Sequence, residues 1–173
     1  MAEQETVDIR SLFHNSAVPE DVLTEIGRIV THFALLEIVL NSLVRGLIGL
    51  DDRSNRVLTS ELSFARLQDV AVSLVKEHHE ERVADLKEAL KLVSKAESDR
   101  NAVLHSRWGL SPFGKDGLAV IRTKYTAKRR KGLDFQREIL NAADLRAMAR
   151  EISVAAYEVE KFAASIGVDT RYP

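Results

Sequence analysis

The 173-residue chain has 45% hydrophobic and 29% charged residues, the usage of one compact domain and not of a disordered segment. It contains no cysteine, which excludes disulfides, thiolate metal sites and a cysteine nucleophile, and fits a reducing compartment. The net charge of −1 argues against a polyanion-binding protein only if that charge is evenly spread, and it is not.

Met1 to Ser16 lacks the basic-then-apolar order of a signal peptide, and residues 1–17 are expected to be a flexible or loosely packed leader to a single domain. The first strong helix is predicted from Pro19, with Glu20 and Asp21 in the first turn, where the helix dipole favours acids. Val22, Ile26, Ile29, Phe33, Leu36, Leu40, Leu43 and Leu47 fall at alternating steps of four and three, an amphipathic stripe. A second stripe, Leu23, Val30 and Val44, is expected to widen the buried face, and Glu37 interrupts it. The most apolar stretch, Phe33 to Leu50, contains Glu37, Asn41 and Arg45, so it reads as a core helix and not as a membrane span. A cytoplasmic protein is the expectation. Gly46 and Gly49 mark the helix end, and Asp51 to Asn55 reads as a loop.

A second helix is predicted over Glu61 to His78, with Leu67, Val70, Ala71, Leu74 and Val75 on one face. A third starts near Glu80 and carries Val83, Leu86, Leu90 and Val93. The second helix's phase would demand apolar residues where His78, Glu81 and Asp85 stand, so a break is placed at His78–His79. The sequence His78-His79-Glu80-Glu81 lacks the i, i+4 pairing of a helical metal site and reads as a solvated break. His14 and His32 have no companion that suggests chemistry.

Beyond Trp108 the pattern changes, and Gly109, Pro112, Gly114, Asp116 and Gly117 read as turn residues. Leu118 to Tyr125 is rich in strand-formers, and Phe135 to Leu140 is a candidate partner. A β-hairpin or meander over 109–140 is therefore expected, with the basic run Lys128, Arg129, Arg130 and Lys131 at its tip. Between Arg100 and Arg137 ten Lys or Arg stand against two acids, leaving 15 basic and 24 acidic residues elsewhere. Such asymmetry draws a polyanion to one side, although a solvated basic hairpin balanced by acidic helices has the same composition. Arg107 and the Lys128–Lys131 run are the candidate RNA-phosphate contacts, while Trp108 and Phe113 could stack bases or simply pack over the helices. Asn141 caps the last helix, whose face carries Leu145, Met148, Ile152, Ala155, Val159, Phe162 and Ile166 before Gly167 stops it. Four long helices with short connections predict an all-α antiparallel four-helix bundle with the β insert before the last helix.

The third helix's stripe runs on to Glu97, Arg100 and Leu104, so two charges occupy places where apolar residues are due. A buried charge needs a partner or water, and Glu37 is the candidate across the seam. On an ideal helix Asn101 and His105 lie about 40° apart, whereas Arg100 and His105 lie about 140° apart. Arg100 and His105 converge only if the helix ends near His105 or a second copy completes the site. One reading is structural: Arg100 pairs with Glu37 or Glu97, and His105 bonds Asn101 or a carbonyl.

The segment Arg100-Asn101-Ala102-Val103-Leu104-His105, late in a helix of such a bundle, resembles the signature of the HEPN superfamily, an arginine followed after four to six residues by a histidine. Phe33-Ala34-Leu35-Leu36-Glu37 and Trp108 are similar to features of the same groups. The resemblance implies a metal-independent endoribonuclease without cofactor, of toxin–antitoxin or defence type, acting as a homodimer. Its implied partners are an RNA substrate and an antitoxin or inhibitor protein. His105 would then be general acid or base, Arg100 the phosphate-holding cation and Asn101 the group that orients one of them, with Glu37 and Glu97 in support. The alternative is a non-catalytic helical dimer that binds RNA or protein.

Overall fold

The computed structural model describes residues 18–49, 51–114, 117–128 and 132–170. Among the described residues, five α-helices and three strands follow one another: α1 (Glu20–Ile48), α2 (Asp52–Thr59), α3 (Phe64–His78), α4 (Val83–Leu104), β1 (Arg107–Gly114), β2 (Gly117–Lys128), β3 (Gly132–Leu140) and α5 (Ala142–Ser165). Residues 1–17, expected to be a flexible or loosely packed segment, and the basic residues Arg129, Arg130 and Lys131 lie outside the described residues.

Capping sets most helix ends. Gly49 takes φ 73° and donates its N–H to the Arg45 carbonyl at 2.9 Å, a left-handed stop that suits glycine. Gly46, by contrast, lies inside α1; a Cβ added there would collide with Val168, so close approach of the C-terminal segment accounts for it. The expected loop at 51–55 is instead the start of α2, capped by Asp51, whose carboxylate accepts from Ser54 N at 3.0 Å and Ser54 Oγ at 2.6 Å. Those hydrogen bonds favour the charged form and hold the Asp51 carboxyl below its ordinary value. Ser63 caps α3 through Arg66 N at 3.2 Å, so that helix begins at Phe64 and not at Glu61. The break at His78–His79 is present: His79 ends α3 with φ −148°, and a 3₁₀ turn over Glu80–Arg82 leads into α4. Asn141 and Asp144 form a reciprocal capping box at the start of α5.

The four long helices share one core. Ile29, Leu36, Leu40 and Leu43 of α1 meet Val75 of α3, Leu86 and Val93 of α4, and Leu145, Ile152 and Val159 of α5, all fully buried. The α1 helix packs against α3, α4 and α5, and α4 also packs on α5. The second stripe does not widen this face as expected: Val44 is buried, but Leu23 and Val30 are exposed, because no described element of the chain covers that side. Glu25 takes a buried place beside the main stripe instead, at 1% exposure. Its Oε1 accepts from Arg146 Nε at 2.9 Å and lies 2.8 Å from Arg146 Nη2, while Arg28 Nε approaches Oε2 at 3.4 Å. No described helix is long and apolar enough to cross a membrane.

The insert is a three-stranded antiparallel meander in the order β1-β2-β3. The predicted pairing holds, with Val120 opposite Leu140 and Tyr125 opposite Phe135. The stretch read as turns joins as β1, starting at Arg107, with its register interrupted between Ser111 and Gly114 around Pro112. A residue without an N–H is tolerated there because β1 is an edge strand. Pleat parity puts Trp108, Val120, Arg122 and Leu140 on one face, where Val120 and Arg122 are buried and Trp108 is half-buried. Trp108 Nε1 donates to the Val103 carbonyl at 3.0 Å, which pins the sheet to the last turn of α4.

Candidate functional site

The charges that interrupt the α4 stripe sit in a half-buried seam between α1, α3 and α4. Arg100 stacks its guanidinium over Phe33, with Cζ 5.1 Å from the ring centre, and donates from Nη1 to Asn101 Oδ1 at 2.8 Å. Its Nε is buried with no hydrogen-bond partner. Glu97 accepts from Gln68 Nε2 at 3.3 Å, and the same amide's oxygen accepts from Ser94 Oγ at 3.0 Å.

The anticipated ion pairs from Arg100 to Glu37 or Glu97 are therefore not formed. The Phe33 face and the neighbouring Asn101 oxygen take the guanidinium, and Glu97 turns to α3. Glu37 feels Arg100 at longer range. Burial pushes its carboxyl above the ordinary 4.5, the Arg100 charge opposes that, and Glu97 adds to it.

His105 is the C-terminal cap of α4, with φ −99° and ψ 19°, and its backbone N–H donates to the Asn101 carbonyl at 3.1 Å. The imidazole is exposed and has no hydrogen-bond partner among the described residues. Asn101 Oδ1 serves Arg100 and not His105. Arg100 and Asn101 are brought together, whereas no hydrogen bond joins Arg100 to His105 among the described residues. The extrapolated stripe also shifts at its end, where Val103 is buried and Leu104 is 38% exposed.

Arg107 is exposed at the start of β1, and the backbone of Lys128 ends β2 opposite Gly132. Sequence reasoning missed Phe33, Gln68 and Ser94 as members of the polar seam. Gln68 left a trace, since it borders the apolar face of Leu67 and Ala71, but its partner lies 29 residues away and could not be read from local pattern. Beside the seam, Lys95 binds Asp99 Oδ2 at 2.9 Å and also Glu151, and these carboxylates raise its pKa. His32 Nδ1 lies 2.9 Å from the Ala149 carbonyl and 2.8 Å from Ser153 Oγ, a bridge between α1 and α5. Among the described residues no group of three or more His, Asp or Glu is arranged to hold a metal ion. No family model, curated protein or solved structure matches this chain.

Proposed function

We propose that the chain is a HEPN-type endoribonuclease, an antiparallel four-helix bundle that cuts RNA without a metal at a site lined by two copies. The observation that carries this reading is the disposition of the motif on α4. Arg100 is held half-buried by Phe33 and Asn101, while His105 ends the helix with a free, exposed imidazole. Imidazole is the side-chain group most used to take and give protons in general acid–base catalysis. His105 takes the proton of a ribose 2′-hydroxyl or gives one to the leaving 5′-oxygen. The 2′-oxygen attacks phosphorus, the bond to the 5′-oxygen breaks, and the products are a 2′,3′-cyclic phosphate and a 5′-hydroxyl. Arg100 stabilises the phosphorane charge, and Asn101 orients the guanidinium.

Since the two side chains do not meet in one chain, a second copy completes the site. The exposed apolar residues Leu23, Val30 and Ile38 of α1, beside Phe33 and Glu37, offer a surface for it. Arg107 and the Lys128–Lys131 run carry RNA phosphates, and an inhibitor protein of toxin–antitoxin type would act in the cytoplasm. One observation favours a non-catalytic RNA- or protein-binding dimer: Arg100 is already engaged by Phe33 and Asn101.

Incubating the purified chain with structured and unstructured RNA in chelator separates the two. The nuclease reading expects cyclic-phosphate ends and a loss of at least about a hundredfold in His105→Ala. It fails if the wild type leaves every RNA intact or the variant cuts equally well.

A further inference from the structure

A second polar feature lies on the other side of α4, where the inner face of the sheet covers it. There Ser98 and Asp99 of α4 face Arg122 and Lys124 of β2 and Gln136 and Glu138 of β3 across a crevice of about 230 Å³. Arg122 is set there by strand register. It stands between Trp108 and Glu138, and the Trp108 anchor to Val103 holds that row against the helix.

The side chain of Arg122 is only 10% exposed. Its Nη2 donates to Glu138, but its Nη1 is buried without any hydrogen-bond partner. A guanidinium N–H withdrawn from water and left unpaired is unfavourable, and an acceptor that reaches it offsets that cost. The donors left unengaged decide what kind of ligand fits. Glu138 is matched by Arg122 and Asp99 by Lys95, whereas half-buried Lys124 has no ion-pair partner among the described residues. The lining is neutral overall, Asp99 and Glu138 against Arg122 and Lys124, and its unengaged donors are Arg122 Nη1 and the Lys124 ammonium, with the Gln136 amide and the Ser98 hydroxyl beside them.

We infer that this crevice is a phosphate-binding subsite, in which Arg122 Nη1 and Lys124 hold the oxygens of a phosphomonoester or phosphodiester. A planar fork with one free arm and a nearby ammonium suit an oxyanion better than a neutral polar group. The volume admits a phosphate group together with several waters. On α4, Ser98 and His105 are seven residues apart, within about 20° of one another and about 10 Å along the axis. Ala102, which also lines the crevice, is one turn from His105. One end of the crevice thus lies about one helical turn from His105. That a phosphate bound there belongs to an RNA substrate rests on the nuclease reading, while the phosphate site itself does not.

The test measures binding by the intact chain of inorganic phosphate, adenosine 5′-monophosphate and a short 2′-O-methyl RNA, which cannot be cut by 2′-oxygen attack. Titrations are followed by NMR and calorimetry at several salt concentrations. The variants are Lys124→Gln, Arg122→Lys, which keeps the charge and loses the fork, and Lys76→Gln, an exposed lysine of α3 outside the crevice, as a control. The site predicts shifts at Arg122 and Lys124 on adding phosphate. It also predicts a roughly tenfold weakening of the best-bound probe in Lys124→Gln and Arg122→Lys, and unchanged binding in Lys76→Gln. Tighter binding of the RNA than of the mononucleotide, with the salt slope reduced by about 1 in Lys124→Gln, identifies a polymer phosphate; the reverse order identifies a free nucleotide. If no probe shifts these residues, or Lys124→Gln melts like the wild type and binds every probe equally, the site is overturned. Because Lys124 makes no ion pair among the described residues, that variant remains decisive even if Arg122→Lys fails to fold. Binding without any cleavage of natural RNA would leave the subsite standing and remove the nuclease.

Discussion

Replacing Arg100 with methionine separates the residue's packing role from its chemistry. Methionine keeps an apolar stem in the seam but removes the guanidinium that stacks 5.1 Å from the centre of the Phe33 ring. A partly desolvated cation–π contact contributes about 1 kcal/mol. The 2.8 Å bond from Nη1 to Asn101 adds about 1.5 kcal/mol as a charged hydrogen bond. Against these losses, the variant also deletes a buried Nε that has no partner, recovering about 1 kcal/mol. The expected net loss is about 1–2 kcal/mol, or a fall in Tm of about 2–8 °C for a chain of this size. Typical domains hold about 5–15 kcal/mol, so the variant stays folded at room temperature. A thermal melt and an RNA cleavage assay in chelator are then run on the same preparation. The nuclease reading expects at least about a hundredfold loss of rate in a protein that remains folded. A folded Arg100→Met variant that cuts at the wild-type rate refutes the phosphate role. A fall in Tm well beyond about 12 °C refutes the energetic reasoning, since it would mean that the guanidinium neutralises Glu37 far more strongly than their lack of direct contact implies.

Two further predictions concern stability. Burial raises the Glu37 carboxyl above 4.5, so the native state holds this proton to higher pH than the unfolded chain does. Stability from this site is therefore greatest at low pH and is lost as pH rises above that value. Glu37→Gln should gain stability relative to wild type between about pH 4 and about pH 7; a constant or opposite difference in urea melts would mean that the Arg100 charge outweighs burial. On the far side of α1, Arg146→Met leaves the Glu25 carboxylate, 1% exposed, with only Arg28 at 3.4 Å. Half exposure of Arg146 screens the pair, so a loss of about 2–3 kcal/mol is expected, less than a fully buried pair would give. Adding Glu25→Leu should restore most of it, and a single-variant loss under about 0.5 kcal/mol would show that the pair is solvated.

Local chemistry announced much of the architecture. The α1 stripe from Val22 to Leu47, the break at His78–His79, the Asn141 cap and the pairing of Leu118–Tyr125 with Phe135–Leu140 each follow from periodicity, phase or capping within a few residues. So does the presence of two charges, Glu97 and Arg100, in an apolar seam. The same local reading missed α2, because Asp51 looks like loop composition until its carboxylate is seen to cap Ser54. It missed β1 because a segment with Gly109, Pro112 and Gly114 has no strand signature of its own and is extended only by pairing with β2.

What the chain by itself determined, then, was which long segments are helical, where most of them stop, and that Arg100, Asn101 and His105 stand out on α4. Only the tertiary structure decided what those side chains meet. The Phe33 ring and the Gln68 amide reach α4 from helices distant in sequence, so Arg100 stacks on a ring and Glu97 bonds an amide instead of the two closing an ion pair. Exposure of Leu23 and Val30 likewise depends on what other elements leave uncovered, and burial of Arg122 depends on sheet register against α4. Periodicity is a property of the backbone of one element, whereas the partner of a buried charge is set by the packing of several.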